Sequence, residues 1–454
     1  MSEKPRILLL LYHGSGHFNA CFKLAEILSQ RYDIIFAGVE FFKNHVTRQG
    51  FSFYPLRTVP FGLGLEHWVN SVQKRRPVYL HTVRDRWSDS LYHERKTELD
   101  QMLNDVLPDF VLLDAQQCTD FLVLYQHLRS SRIRVAILHT MFPTTLLPGF
   151  PPVNSIVLPN DKDGIDHAHR TARRNSNKKR WLQKLMFLGC DDNLIIQRRI
   201  RRNNIPSKYL PSFPSAFNYA IQGVPQLIIA PEALDFKMDP CFFPCEYLGS
   251  WISLGRKEDS HADFRRLQHT VFDVLAAKHL TLIYCSFGTI PARNRKRVLR
   301  LLHKLTEATR NQQCLLMVSL KLEGSRLKES PPKADHVYIF DYLPQLEILA
   351  KARLFITHGG LNSIKESITF GVPMLVYPLE HKVDQRGNAS RVLYHRIGLQ
   401  GDVETDSIAD IRLKISALLT DPSYRRNILK MHETTRDENA EKLFSCIDRI
   451  QPLG

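Results

Sequence analysis

A turn reading Thr357-His358-Gly359-Gly360-Leu361-Asn362-Ser363 ends a short apolar strand and opens a helix that Gly371 closes, with Pro373 just beyond. Two adjacent glycines let a bulky anion come against the backbone, and the free amides of a helix start, aided by the helix dipole, suit a phosphate. His358 can donate to a phosphate oxygen. Glu366 lies four residues after Asn362, about one helical turn along the same face, so its carboxylate can reach past the phosphates to paired ribose hydroxyls. This pattern predicts a diphosphate cradle for a nucleotide.

A second cluster able to do chemistry lies near the start of the chain. The loop Tyr12-His13-Gly14-Ser15-Gly16-His17 puts His17 at a strand-to-helix turn, and Asp114 closes the apolar strand that begins at Phe110. An imidazole supported by a carboxylate, which fixes its tautomer and steadies the imidazolium, can act as a general base. His17 with Asp114 is the expected pair, and His13 is the alternative base. Gly14 and Gly16 lack the third glycine of a GxGxxG fingerprint, Asn19 standing in its place, which argues against a dinucleotide redox enzyme. Cys241 and Cys245 form a lone pair with no second pair or nearby His set, so no metal site is expected there.

These residues need a scaffold, and the chain alternates short apolar strands with helical segments. Arg6 to Tyr12, Asp33 to Val39, Phe110 to Asp114 and Arg134 to Thr140 read as strands, with helices at His17 to Gln30 and near Asp120. From about Pro143 to Asn218 the alternation dissolves into a Pro-rich and then basic insertion. The stretch from Pro231 to about Asp263 is dense in Pro, Gly, Asp and Ser and reads as an interdomain linker. A second alternating unit comes after it, with strands Leu280 to Phe287, Cys314 to Leu320, Val337 to Phe340, Leu354 to Thr357 and Met374 to Tyr377. The expected organisation is an α/β domain over 1–230, a linker over 231–265, a second α/β domain over 266–430, and a C-terminal helix over 431–454 packing back on the first domain. Ligands of such parallel sheets bind beyond the carboxyl ends of the strands, where both clusters fall.

Composition bounds the reading without deciding it. The 454 residues are 43% hydrophobic and 24% charged, with a formal net charge of +16. No run approaches the roughly 18 to 20 apolar residues of a bilayer crossing, and Met1 to Arg6 leads directly into a strand, so a cytoplasmic location is expected. The eight cysteines are scattered, several in apolar segments, and suggest no disulfide framework. Much of the charge lies between His167 and Asn204, where Arg170, Arg173, Arg174, Lys178, Lys179, Arg180 and Lys184 interleave with Trp181, Leu182, Leu185 and Met186. That is the pattern either of a basic amphipathic helix lying on a membrane or of a solvated helix covering an acceptor pocket.

The order and spacing of Tyr342-Leu343-Pro344-Gln345, the turn from Thr357 to Glu366, the run from Gly371 to Pro378, and Asp384-Gln385 with Asn388-Ala389 resemble the nucleotide-sugar box of the UDP-glycosyltransferase superfamily. The similar layout of the rest extends the resemblance over nearly the whole chain. It implies a GT-B fold, two Rossmann-like α/β domains facing across a cleft. It also implies roles. Tyr342 would stack on the uracil where Trp is usual, Gln345 would sit beside the base, and His358, Gly360, Asn362 and Ser363 would hold the diphosphate. Glu366 would take the ribose, Asp384 and Gln385 the sugar hydroxyls, and Ser286, Gly288 and Thr289 would face the phosphates from the other side. His17 matches the family's catalytic His, with Ala20 where Pro is common, and the run from Pro378 to Asp384 is longer than in many members.

The expected activity is therefore inverting transfer of a hexosyl group, glucose by the lean of Gln385, from a UDP-sugar to a hydroxyl of a small hydrophobic acceptor such as a natural product, carotenoid or lipid alcohol. Glu366 favours a ribose, hence UDP over dTDP. No metal and no cofactor is expected, since the UDP-sugar is a substrate. Peripheral attachment to the inner face of a membrane is a further expectation, and nucleic acid is not, for no recognised module accompanies the charge. The alternatives are an epimerase or phosphorylase on the same scaffold, or a non-enzymatic protein that binds membrane or nucleic acid through the basic stretch.

Overall fold

The structure, a computed structural model, describes residues 4–237, 243–257, 262–288, 292–321, 332–436 and 439–454. Among the described residues two parallel sheets carry the fold. The first has seven strands, β1 Arg6–Leu10, β2 Asp33–Val39, β3 Ser52–Leu56, β4 Phe110–Asp114, β5 Arg134–His139, β6 Gln226–Ile228 and β7 Glu246–Tyr247, in the order β3-β2-β1-β4-β5-β6-β7. The second has six, β8 Thr281–Ser286, β9 Cys314–Ser319, β10 Val337–Phe340, β11 Leu354–Thr357, β12 Met374–Val376 and β13 Gly398–Gln400, in the order β10-β9-β8-β11-β12-β13. The molecule is α/β with the two-lobed GT-B architecture.

Continuous apolar strands explain the parallel sheets. Ile7 to Leu10, Val111 to Leu113 and Leu354 to Ile356 are buried on both faces, which demands helices above and below each sheet. Separate apolar clusters fill the two sides of each sheet. Register then positions the chemistry. Leu10 pairs with Leu113, so the loop after β1 and Asp114 leave the first sheet side by side. Thr357 pairs with Ser286, so the loop after β8 and the turn after β11 leave the second sheet as neighbours.

The lobes are in contact. One apolar cluster joins Phe142, Val153, Ile228 and Leu234 of the first half to Tyr284, Phe355 and Met374 of the second. Arg391 reaches back to Asp235 through Nη2 and Nε, at 2.5 and 2.8 Å, with both side chains buried. The segment read as a linker thus grips both lobes: besides Asp235 it contributes the edge strand β7, and Ser253 Oγ donates to Glu26 Oε1 at 2.5 Å. The helix Ala440–Asp448 buries Leu443, Phe444 and Ile447 in the cluster that contains Ile7, Leu9 and Phe110. The basic insertion folds as helices Lys162–Met186 and Asp192–Arg202. No helix among the described residues is long and apolar enough to cross a membrane.

Candidate active site

His17 sits in the first turn of helix Ser15–Leu28, where Gly14 supplies an extended N-cap. Its Nδ1 lies 2.6 Å from Asp114 Oδ2 and 2.7 Å from Thr140 Oγ1. Asp114 is fully buried and is itself oriented, Oδ1 accepting from the Gln116 amide at 2.8 Å and Oδ2 from the Tyr12 amide at 3.3 Å. A buried carboxylate held this way fixes the imidazole with its proton on Nδ1 and leaves Nε2 as the basic atom. Burial pulls the His17 pKa down, but the Asp114 charge, the hydrogen bond to it and the more distant Asp384 carboxylate together raise it above the ordinary 6.5. His13 differs: burial, the neighbouring His17 and Arg95 lower its pKa, outweighing Asp114. The carboxylate belongs to His17.

Across the cleft the turn after β11 requires its glycines. Gly359 has φ +87°, and a Cβ there would stand 2.7 Å from Val376 Cγ1 and 3.1 Å from the Gln385 carbonyl. Cβ atoms on Gly288 or Gly360 would come to 3.0 and 2.9 Å from the His358 ring, so those two residues let the imidazole lie between the loops after β8 and β11. Burial drives His358 down to about 4, against an opposing contact with the Ser286 backbone, and the ring is neutral near pH 7. Its Nδ1 and the Asn362 Oδ1 are buried without a hydrogen-bond partner among the described residues. Unmet groups of this kind cost about 1–3 kcal/mol each and mark a place where a polar ligand is expected.

Helix Leu361–Thr369 begins at Gly360 and aims its free amides at this space. Asn362 Nδ2 donates to the Gly16 carbonyl at 2.6 Å, tying the donor-side helix to the residue before His17. Gln345 Nε2 donates to Glu366 Oε2 at 2.5 Å and to Ser363 Oγ at 3.2 Å. Asp384 is buried, accepts from Asn388 Nδ2 at 2.8 Å, and has its pKa raised by burial against the lowering influence of Asn388 and His17.

Comparison with known proteins agrees with this geometry. The family model described as "UDP-glucoronosyl and UDP-glucosyl transferase" matches residues 312–447, the segment holding the turn, Glu366 and Asp384. Over that segment the chain is similar to the UDP-glycosyltransferase superfamily. A zeaxanthin glucosyltransferase of Pantoea ananas is 26% identical over 339 residues, 75% of this chain and 70% of that protein. An uncharacterized UDP-glucosyltransferase of Bacillus subtilis is 26% identical over 187 residues, 41% of this chain and 46% of that one. Among solved structures, the glycotransferase of kitacinnamycin aligns with TM-score 0.64 at 16% identity over 100% of both chains. Spinosyn forosaminyltransferase aligns with TM-score 0.61 at 16% identity over 98% of both. These structural likenesses carry the fold.

The cleft gathers most of the residues singled out in the sequence, in arrangements the motif alone does not convey. His358, Gly360, Ser363, Glu366 and Gln345 converge, with Ser286 and Gly288 opposite; Tyr342, half-buried, precedes the helix that Gln345 opens. Thr289 and Cys241 lie outside the described residues. Asn362 spends its amide on Gly16, leaving only Oδ1 toward the phosphate space. Gln385 Oε1 accepts from the Leu379 and Glu380 amides at 2.8 and 3.0 Å, closing the long run after Pro378, so a contact with sugar falls to its Nε2. Two residues went unsuspected. Thr140 completes the His17 contacts, and Arg256 Nη1 pairs with Glu366 Oε1 at 2.9 Å, both side chains nearly buried. Neither has a local signal, because each partner is more than a hundred residues away in sequence.

Proposed function

We propose that this UDP-glycosyltransferase moves a hexosyl group, glucose by preference, from a UDP-sugar to the hydroxyl of a small hydrophobic acceptor with inversion at the anomeric carbon. Residues 1–230 would serve the acceptor and 266–430 the donor. The observation that carries the reading is the oriented dyad: Asp114 holds Nδ1, so Nε2 of His17 can accept a proton at the cleft. The acceptor oxygen attacks the anomeric carbon, its proton passes to Nε2, the bond from that carbon to the diphosphate oxygen breaks, and UDP departs. The amides at the start of helix Leu361–Thr369 and the neutral His358 ring would stabilise the departing diphosphate by hydrogen bonding, a role that calls for no metal ion or cofactor.

Glu366, already positioned by Gln345 and Arg256, has lone pairs to spare for ribose hydroxyls, which favours UDP over dTDP. The names of the Pantoea and Bacillus relatives support glucose, and the first names a carotenoid acceptor. The test is UDP release from UDP-glucose against a panel of hydrophobic alcohols and phenols, with the anomeric configuration of the product read by NMR. Transfer with inversion, lost in His17→Ala while UDP binding persists, is the expected result. Full transfer by that variant, or a product formed from UDP-glucose without any acceptor, would overturn the assignment.

A further inference from the structure

The helix Lys162–Met186 is built unlike the others. Its 25 residues span about 37 Å at about 1.5 Å each, yet only Ile165 and Gln183 are buried. Gln183 Nε2, Lys179 and Arg180 face inward, meeting Asp192 and Asp191 of the next helix. At about 100° per residue, Arg170, Arg174, Lys178, Trp181 and Leu185 all fall within about 40° of the direction opposite Gln183. The outward ridge is thus a row of three cations ending in a tryptophan and a leucine. Trp181 is 63% exposed, Leu185 65% and the following Leu188 68%. No Asp or Glu occurs between Asp166 and Asp191.

The ridge is continued by a neighbour. Tyr79 Oη donates to the Met186 carbonyl at 2.7 Å, which sets helix Val78–Ser88 against the end of the basic helix. Along that helix Leu80, Arg84 and Trp87 succeed one another at helical spacing on the solvent side, and the Arg198 guanidinium lies 5.8 Å from the Trp87 ring. Below the surface the assembly is rigid: Arg86, buried, pairs with Glu66 and Asp192 at 2.7 Å each. Exposed indoles and leucines are therefore held in place by the fold rather than left over from a poor core.

We propose that this face docks the enzyme on an anionic lipid surface, the Arg and Lys side chains meeting headgroup phosphates while Trp181, Leu185, Leu188, Leu80 and Trp87 enter the acyl boundary. Two observations favour lipid over a protein partner. Its cations lead to an exposed apolar end at Trp181 and Leu185, a pairing that suits phosphates above acyl chains. The absence of carboxylates between Asp166 and Asp191 fits a negative plane rather than a mixed protein surface. The docking is also well placed for an apolar acceptor. His169 Nε2 lies 2.9 Å from the Phe150 carbonyl, and the adjoining Val153 carbonyl accepts from the Gly387 amide of the donor lobe, so the helix starts beside the cleft.

The experiment is flotation of the full chain with vesicles of phosphatidylcholine alone and with about one-third phosphatidylglycerol. The chain is expected to float with the anionic vesicles at low salt, to detach at high salt, and to ignore the zwitterionic ones. Trp181→Ser with Leu185→Ser, and separately Arg170→Glu, Arg174→Glu and Lys178→Glu together, are expected to weaken partitioning by about tenfold or more. Leu413→Ser, an equally exposed leucine on the donor lobe, is the control and leaves partitioning unchanged. UDP binding in all variants reports intact folding and is independent of flotation, so failure here leaves the proposed transfer reaction standing. No flotation at low salt, or flotation unaffected by the ridge variants, overturns the proposal. So does self-association of the chain that the ridge variants abolish without any vesicle binding, which would make the face a protein interface.

Discussion

Replacing Asp114 by Asn keeps the shape of the dyad and removes its charge. Oδ1 can still accept from Gln116, so the strand end is preserved, but the fully buried carboxylate at 2.6 Å from His17 Nδ1 is gone. In the ground state the loss is one charge-assisted hydrogen bond. In the transition state the imidazole gains a proton, and its positive charge then sits beside a neutral amide where only 14% of the His17 side chain meets solvent. Losing a buried partner of this kind costs about 3–5 kcal/mol, and at about 1.4 kcal/mol per decade kcat should fall by about 10² to 10⁴. The pH profile separates this account from simple damage. Transfer needs neutral His17, so the rate falls on the acid side through a pKa lying above 6.5 because Asp114 and Asp384 outweigh burial. Asp114→Asn removes the larger support and leaves burial, so the acid limb moves to lower pH even as the plateau drops. In unfolding the sign agrees: wild-type His17 contributes its stability in full below 6.5 and loses it as pH rises through the raised folded value, a term the variant lacks. A variant with kcat within about threefold of wild type, or with an unmoved acid limb, would refute the dyad.

Arg256→Met strips the cation that offsets Glu366 beside a polyanionic ligand, and UDP affinity by calorimetry should fall by about tenfold or more, with Arg256→Met and Glu366→Gln combined losing less than the sum. Gly359→Ala forces a Cβ to 2.7 Å from Val376 at a φ of +87°; destabilisation by about 1–3 kcal/mol and loss of UDP binding are expected in urea melts and titrations. Arg391→Met leaves Asp235 buried without its partner and should lower stability by about 3–5 kcal/mol in urea, with the His17 acid limb unmoved. His358→Ala should lower kcat by about 10² or more while the rate keeps its wild-type pH dependence between about 5 and 8, because the ring is already neutral above about 4.

How much the sequence disclosed depends on the range of each signal. Strands such as Phe110–Asp114 and Leu354–Thr357 coincide with their apolar runs, since strands buried on both faces leave an unbroken hydrophobic stretch. The edge strand Ser52–Leu56 escaped because Pro55 and mixed exposure blur its pattern, and Gly398–Gln400 and Glu246–Tyr247 are too short to signal. The basic insertion carried little core periodicity because its first helix buries almost nothing. The donor turn was legible because glycines, a helix start and a carboxylate stand within ten residues. Arg256 and Thr140 were not, because a pairing across the fold leaves no trace in local spacing.

The two halves of the chemistry lie on different sheets, and one short bond links them. Gly16 offers its carbonyl to Asn362, the second residue of the helix that faces the diphosphate, and the next residue along the chain is His17. The base and the cradle are thus separated by a single peptide unit and one hydrogen bond of 2.6 Å, while Asp384, on the donor side, contributes to the charge field that His17 feels. A change in lobe spacing would move the diphosphate site relative to the imidazole and the acceptor, which share the first lobe. The contacts that keep this spacing are spread widely: the Arg391–Asp235 pair, Lys365 Nζ on the Ile229 carbonyl at 3.0 Å, and Gly387 against Val153, where a Cβ would lie 2.0 Å from the carbonyl oxygen. Donor binding and base alignment are therefore one mechanical variable, and a substitution at Asn362 is expected to alter KM and kcat together rather than either alone.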